Sequence, residues 1–420
     1  MHAPLWHRLV GFSLIPALAA ISPLVVLPVV ARTAGAAGWS SAIAGESVGT
    51  FAAIALAFGW TTVGPAHVAH APVEMRARLY RESLVVRGLM AVPVIPALVV
   101  ICLAIATPGY ELLTVVMGLQ GALIAMSFSW FAVGVADPGA IARLDAIPRV
   151  LGALAAAGLI AATGALIVYP LIGIAVTAGG TAAYSRKVLR DAPGPWPTRA
   201  ELPALLRSTA AVAVNDAALG AYSSVPSPLV NVSTPAAEAS AYASADKMIK
   251  LGQFIPITLG NALQAWTAEA HGAARATRVR RAIGAHAVLG LVGWVAVASL
   301  GPWASRVLFG GDAAADRTVL VILGAAFAAY SVRTSVTRHL LFPCGRTRIV
   351  VVATLLGSAI GVPAMLILTP SIGSVGAAIG YAVTELISTV VPWRQARVAL
   401  RDIAMQRAPE ADPDEPPLLA

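Results

Sequence analysis

The sequence predicts an all-α integral membrane protein, with about twelve transmembrane helices in two parallel six-helix lobes around a central cavity. Three observations carry that reading. Of the 420 residues, 58% are hydrophobic and only 12% charged, about half the charged share with which soluble domains cover a water-facing surface. The apolar residues fall in runs close to the ~20 needed for a helix to cross a bilayer. The two halves of the chain also match one another at a constant offset of 200 positions.

In chain order the runs lie at roughly 9–31, 40–63, 84–106, 111–136, 150–168 and 170–184, then 209–230, 242–266, 283–303, 318–342, 349–369 and 371–392. The sixth is the shortest. His7 and Arg8 precede the first run as they would in a signal peptide. The apolar stretch then outlasts the about 7–15 residues of a signal core, so it reads as a retained span. Cys102 and Cys344 fall in or beside apolar runs and imply neither a disulfide framework nor a metal site. The acidic, proline-rich ending "APEADPDEPPLLA" reads as disordered.

A net charge of +9 could suggest a nucleic-acid partner, but its placement argues for topology. Arg76, Arg78, Arg81 and Arg87 follow the second span, Arg143 and Arg149 the fourth, and Arg186, Lys187, Arg190, Arg199 and Arg207 the sixth. Arg275, Arg278, Arg280 and Arg281 follow the eighth, Arg346 and Arg348 the tenth, and Arg394, Arg397, Arg401 and Arg407 the twelfth. The opposite loops hold Arg32, Arg306 and Arg317. This is the positive-inside alternation, and it places both termini in the cytoplasm of a multi-pass protein of the cytoplasmic membrane. No nucleic-acid partner is expected.

The offset is clearest where "YPLIGIAVTAGGTA" (Tyr169–Ala182) meets "TPSIGSVGAAIGYA" (Thr369–Ala382). Pro170, Ile172, Gly173 and Gly180 fall on Pro370, Ile372, Gly373 and Gly380. Elsewhere Pro28 falls on Pro228, Arg78 on Arg278, Arg81 on Arg281 and Glu46 on Asp246. Six spans per unit make the repeats parallel, related by an axis along the membrane normal. The expected division is a first lobe over 1–184, a cytoplasmic linker over 185–208, a second lobe over 209–393 and a tail over 394–420. Each Pro-x-Ile-Gly copy is expected to open the sixth span of its lobe, where proline starts a helix without losing a hydrogen bond.

Several stretches resemble the polysaccharide (O-antigen type) flippases of the multidrug/oligosaccharidyl-lipid/polysaccharide exporter superfamily. "GWTTVGPAHVAH" (Gly59–His70) resembles the end of their second span, and "AYASADKMIKLGQFIP" (Ala241–Pro256) their eighth. "VLFGGDAAADRTVLVILGAAFAAY" (Val307–Tyr330) is similar to the loop before their tenth span, and "PSIGSVGAAIGYA" to their glycine–alanine sixth helix. The likeness covers nearly the whole chain, through degenerate motifs. It implies alternating access and movement of an undecaprenyl-linked glycan between leaflets. The partners implied are that lipid-linked glycan, membrane lipids and polysaccharide assembly proteins. No cofactor is expected; a proton or sodium gradient is the energy source such a carrier would draw on.

Charges at membrane depth are costly unless they face a cavity or a partner, so they are the candidate site residues. Arg333 lies roughly 22 Å into the tenth span at 1.5 Å per residue, placed either to hold a pyrophosphate in bidentate fashion or to snorkel to the interface. Asp216, beside Asn215, lies about 13 Å into the seventh span, and Glu385 is comparably deep in the twelfth. Each could take up a proton or tie two helices together. Asp246 and Lys250 can pair at i,i+4 on one face of the eighth span, with Lys247 beside them; by resemblance this region lines the outer part of the cavity. Glu46 is its counterpart in the first lobe. Trp60, Trp130 and Trp266 could stack on sugar rings or anchor span ends at the interface. Prolines 16, 23, 28, 226 and 228 make the first helix of each lobe bendable.

Other classes have less support. There is no phosphate-binding G-x-x-x-x-G-K-[ST] loop for ATP hydrolysis. His67, His70 and Glu74 could share a helix face, but Pro72 interrupts it. The chain is not read as an enzyme. A cation-coupled exporter of small drugs, a membrane-embedded glycan-assembly enzyme and a scaffold for other assembly proteins remain the alternatives.

Overall fold

A computed structural model describes residues 23–405, and no strand occurs among them. The first span is therefore seen only from Pro23, and Pro16, Arg407 and the acidic ending lie outside the described residues.

Helix α1 (Pro23–Ala57) carries the remainder of the first span and most of the second, and bends at Gly35, whose φ of 64° and ψ of −176° leave the helical region. Glycine adopts that backbone without a Cβ penalty. The second span continues through α2 (Trp60–His70) after Phe58 and Gly59, both at positive φ. Then come α3 (Val73–Ile105), α4 (Glu111–Leu123), α5 (Ser129–Gly134), α6 (Ile147–Thr163) and α7 (Val168–Asp191). The second half holds α8 (Leu202–Ser224), α9 (Pro226–Ser233), α10 (Ala236–Gly252), α11 (Phe254–Ala268), α12 (Gly272–Phe309), α13 (Arg317–Ser335), α14 (Thr347–Ile372), α15 (Ser374–Val390) and α16 (Trp393–Met405). From the second onward, each expected span thus has its helix or broken helix pair among the described residues.

Among the described residues, eight helical runs are long and apolar enough to cross a membrane: 23–70, 73–105, 111–134, 138–163, 272–309, 317–341, 347–372 and 374–405. The remaining expected spans, α7, α8–α9 and α10–α11, are richer in small and polar residues. Two of them carry Asp216, Asp246, Lys247 and Lys250.

Packing in each lobe relies on glycines at close approaches. Gly361 and Gly380 face each other across α14 and α15, where a Cβ on Gly361 would lie 2.6 Å from the Gly380 carbonyl oxygen. Small residues of this kind let membrane helices approach to backbone contact. The structure corrects the expected role of the Pro-x-Ile-Gly pair. Pro170 does stand in the first turn of α7, but Pro370 lies in the last turn of α14, and α15 begins only after Gly373 at φ 65°. The backbone turns at Gly373 itself, so the second copy ends one helix where the first copy starts one.

Helix α7 runs to Asp191 and α8 starts at Leu202, so the expected linker begins and ends inside helices. Its irregular part is pinned to α3, where Arg81 donates to the Ala192 carbonyl at 2.8 Å and Arg78 pairs with Glu201 at 2.6 Å. The expected tail starts as an ordered amphipathic helix. Ala396, Ala399 and Ile403 of α16 pack on Ala276 and Val279 of α12 and on Leu340 and Leu341.

The two halves meet tightly at the arginine-poor end. Val26, Leu27, Val30, Trp39 and Ile43 form one apolar cluster with Ala243 and Phe309. Trp39 stacks on Phe309 at 5.2 Å and donates to Ser244 at 3.0 Å. Asn231 donates to the Ile105 carbonyl at 2.7 Å, and Arg32 to that of Val307. Toward the arginine-rich end the contacts differ: α10 packs on α1, whereas its continuation α11 packs chiefly on α12, α13 and the turn after α13.

Candidate functional site: a charged cavity between the lobes

Below the sealed end lies a cavity of about 290 Å³ whose walls come from both halves. Glu46 and Thr50 enter it from successive turns of α1, Gln120 from α4, Arg149 from α6, and Tyr169 and Thr177 from α7. Lys247, Lys250 and Phe254 close it from α10 and α11. The i,i+3 and i,i+4 spacings of these residues put them on single helix faces. Gly121, Gly152 and Gly173 also border it, each packed closely on a neighbouring helix: an added Cβ would lie 3.1 Å from Gly49, 3.0 Å from Ile172 and against the Gln120 side chain, respectively.

The cavity is lined by three cationic side chains and one carboxylate. Lys247 binds Glu46 across the lobe boundary at 2.6 Å, with both side chains more than two-thirds buried. The second oxygen of Glu46 is buried and has no hydrogen-bond partner among the described residues. Lys250 binds Asp246 at 2.7 Å on its own helix, and the Ser227 hydroxyl donates to the same carboxylate oxygen at 3.0 Å. Arg149 pairs with Asp145 at 2.5 Å. Asp145 and Asp246 stand behind the wall, so the cations project inward.

Arg333 and Glu385 form a separate unit in the second half. The guanidinium reaches both carboxylate oxygens, at 2.9–3.2 Å, and the Tyr222 hydroxyl, itself a donor to Glu385 at 2.9 Å, lies 3.3 Å away. Glu385 has no exposed surface, and Arg333 also lies over the Tyr330 ring. With Nε and Nη2 committed in this way, Arg333 ties α8, α13 and α15 together and does not line the cavity.

Asp216 occupies a third place. It accepts a 2.7 Å hydrogen bond from the Thr62 hydroxyl of α2 and borders a second, more open cavity of about 320 Å³ with Thr61 and Ser223. Asn215, its half-buried neighbour, lines neither cavity.

Trp60 is corrected as a sugar-stacking candidate. It is 3% exposed, its ring lies 5.6 Å from that of Trp130, and the cluster continues through Tyr80, Phe128, Phe131 and Tyr184. A ring sandwiched in an aromatic core presents no face to a ligand. No group of three or more metal-ligating side chains occurs among the described residues.

The sequence-derived set thus divides. Glu46, Lys247 and Lys250, backed by Asp246, share one cavity; Arg333 and Glu385 satisfy each other; Asp216 stands apart with Thr62. Sequence reasoning passed over Arg149, Gln120, Tyr169 and Tyr222. Arg149 was absorbed into the positive-inside pattern, although its i,i+4 spacing from Asp145 was visible.

No protein-family model matches the chain, and no curated protein matches its sequence. Solved structures do match its fold. A structure described as lipid II flippase MurJ in an inward closed conformation aligns over 94% of this chain and 89% of its own, with a TM-score of 0.70 and 11% identity. An inward-facing multidrug resistance MATE family transporter of the MOP superfamily aligns over 95% and 98%, with a TM-score of 0.56 and 16% identity. A MATE in complex with MaD3S aligns over 95% and 97%, at 0.52 and 13%. The chain therefore has the two-lobe helical fold of the lipid II flippase and MATE transporter structures.

Proposed function

We propose that the protein is a flippase that moves a lipid-linked oligosaccharide or polysaccharide precursor across the cytoplasmic membrane by alternating access. The observation that carries this reading is the interlobe cavity, where Arg149, Lys247 and Lys250 from opposite lobes converge with Glu46 as the one carboxylate in the lining. A phosphate-linked headgroup supplies the negative charge that such a set would hold through charge-assisted bonds. Gln120, Tyr169, Thr50 and Thr177 supply donors and acceptors of the kind that sugar hydroxyls require.

The cavity is near the lower end of the ~300–1,000 Å³ typical of ligand clefts. It would hold part of a headgroup, so passage requires its wall to move. The outer seal at Trp39, Ser244 and Phe309 and the looser α11 side are the two places where opening can alternate. Basic residues at the α11 end support a cytoplasmic assignment for that end and for the termini. The apolar lipid tail would remain in the bilayer beside the lobes.

A second reading, a cation-coupled exporter, is favoured by one observation: Asp216 faces the more open cavity with the hydroxyls of Thr62 and Ser223, and its side-chain hydrogen bond comes from Thr62. The two readings separate on substrate. Reconstituted in vesicles, a flippase exposes a fluorescent undecaprenyl-diphosphate oligosaccharide to an outside quencher, and Lys247→Ala with Lys250→Ala abolishes that exposure. Unchanged leaflet distribution, together with uptake of lipophilic cations, would replace the flippase with the exporter.

A further inference from the structure

Two buried histidines lie outside both cavities, where α11 meets α12 and the turn following α13. His286 of α12 has no exposed surface, and His339 is 2% exposed. Their rings are 5.8 Å apart, edge to face.

The hydrogen bonding of His286 is unusual. Its Nε2 is 3.2 Å from the Pro256 carbonyl oxygen and its Nδ1 is 3.0 Å from that of Ala282. Carbonyl oxygens only accept, and a neutral imidazole has a single N–H. Loss of either proton therefore leaves a ring lone pair facing an oxygen, so the surroundings fully match only the imidazolium. His339 is matched in either state: Nε2 lies 3.0 Å from the Gly260 carbonyl and Nδ1 lies 2.9 Å from the Ser335 hydroxyl, which can donate or accept. Two imidazolium rings this close repel, so protonation of both at once is disfavoured.

The surrounding charges do not neutralise that proton. Helix α11 has no ionisable side chain from Phe254 to Ala268. Arg338, beside His339, turns to Asn261, and Arg333 of α13 is held by Glu385. Asp402 of α16 is paired with Arg346, and Arg348 at the start of α14 is exposed. Arg280 and Arg281 sit more than a turn before His286 on α12.

What the pair grips is as informative as its own bonding. Pro256 and Gly260 are i,i+4 on α11, so the two rings bind one face of that helix. The same helix begins at Phe254, in the cavity wall, directly after the break from α10 at Gln253. Pro256 lacks the N–H that would help span the break. His339 itself lies in a π-helical turn, Val336–Leu341, a distortion often found where helices serve function.

We infer that His286 and His339 form a proton-binding site whose occupancy sets how firmly α11 is held against α12 and α13, and so moves the wall of the cavity. The link to transport rests on the flippase reading; the proton site and the wall movement do not.

Solid-state NMR of the full chain with ¹⁵N-labelled histidine, in phosphatidylcholine vesicles, reads the site directly. His286→Gln and His339→Gln assign the two rings among the seven histidines. Spectra are taken between about pH 5 and 8, the range in which unperturbed histidines change charge, and the His286 ring is expected to show both its doubly and its singly protonated forms. A ring with one protonation state throughout that range overturns the proposal, and the wild-type spectrum alone decides it if a variant fails to fold. Spin labels on Ala262→Cys in α11 and Ala178→Cys in α7 then read the wall. Their separation should change with the same midpoint in otherwise wild-type protein and stay fixed with His286→Gln. A separation independent of pH overturns the coupling. Neither measurement involves substrate, so failure here is distinguishable from failure of the flippase reading in the vesicle assay.

Discussion

Lys247 of α10 reaches across the lobe boundary to Glu46 of α1, with 2.6 Å between ammonium and carboxylate at the wall of the cavity. The contact joins the lobes just beneath the apolar seal, and it occupies a cation that an anionic ligand would need. Under the proposed function, an entering phosphate would compete with Glu46 for Lys247, which would link binding to separation of the lobes.

That competition is measurable. Glu46→Gln should free Lys247 and tighten binding of an anionic headgroup, while Lys247→Ala should weaken it by roughly tenfold or more, the worth of one charged hydrogen bond of ~1.5–3 kcal/mol. Equilibrium binding of a short-chain isoprenyl-diphosphate oligosaccharide to purified protein reads both. In a double-mutant cycle on thermal stability, Glu46→Ala and Lys247→Ala should couple by only about 1 kcal/mol, because both side chains keep some contact with solvent.

Arg333 and Glu385 should behave as structural partners. Glu385→Ala leaves a nearly buried guanidinium uncompensated and should cost about 3–5 kcal/mol. Replacing both, Arg333→Met with Glu385→Leu, should cost much less and leave headgroup affinity unchanged. Tyr222→Phe removes one donor to Glu385 and should cost about 1 kcal/mol. Thermal unfolding in detergent orders the three. Headgroup affinity lost in a well-folded double variant would return Arg333 to the binding site.

Two glycines on the helix surfaces should respond oppositely to alanine. At Gly361 a Cβ would press on the Gly380 backbone at 2.6 Å, so Gly361→Ala should destabilise by about 1–3 kcal/mol. At Gly158 of α6 nothing among the described residues lies within 4 Å, so Gly158→Ala should stabilise by about 0.5–1 kcal/mol through backbone entropy. Melting temperatures of the pair test whether close approach governs helix packing here.

The linker contact should be sensitive to acid. The backbone N–H of Thr198 and then its hydroxyl bind Glu201, and Arg78 adds its charge, so the carboxyl is held below its usual range. A lowered folded value means that the contact contributes stability above the unfolded carboxylate range and loses it as pH falls through the folded value. Hydrogen exchange at the Thr198 amide, corrected for intrinsic rates, should lose protection on acidification. In Glu201→Gln that pH dependence should disappear.

Trp60 offers a contrast with the cavity residues. Trp60→Ala should cost about 3–5 kcal/mol by emptying the aromatic core beside Trp130, whereas Trp60→Phe should bind headgroup like the wild type. Selective loss of binding in Trp60→Phe, measured in the same assay, would contradict its burial.

What the sequence determined by itself follows from local signals. Apolar run length and the alternation of arginines need no knowledge of neighbours, and from the second span onward the expected runs fall on the described helices α1 to α15. Glu46 and Asp246 were marked as costly at depth, and their positions 200 apart hinted at a shared level in the two lobes. Only the tertiary structure decided how those charges are spent. Arg333 and Glu385 are 52 residues apart and looked alike as candidates until packing joined them. Arg149 looked like a topological charge until α6 turned it into the cavity. Two Pro-x-Ile-Gly copies with the same residues serve opposite ends of a helix, because Gly373 turns the backbone where Gly173 continues it. Burial cost is a property of a residue and its depth, but whether that cost is met by a partner, a cavity or a ligand depends on which helices meet.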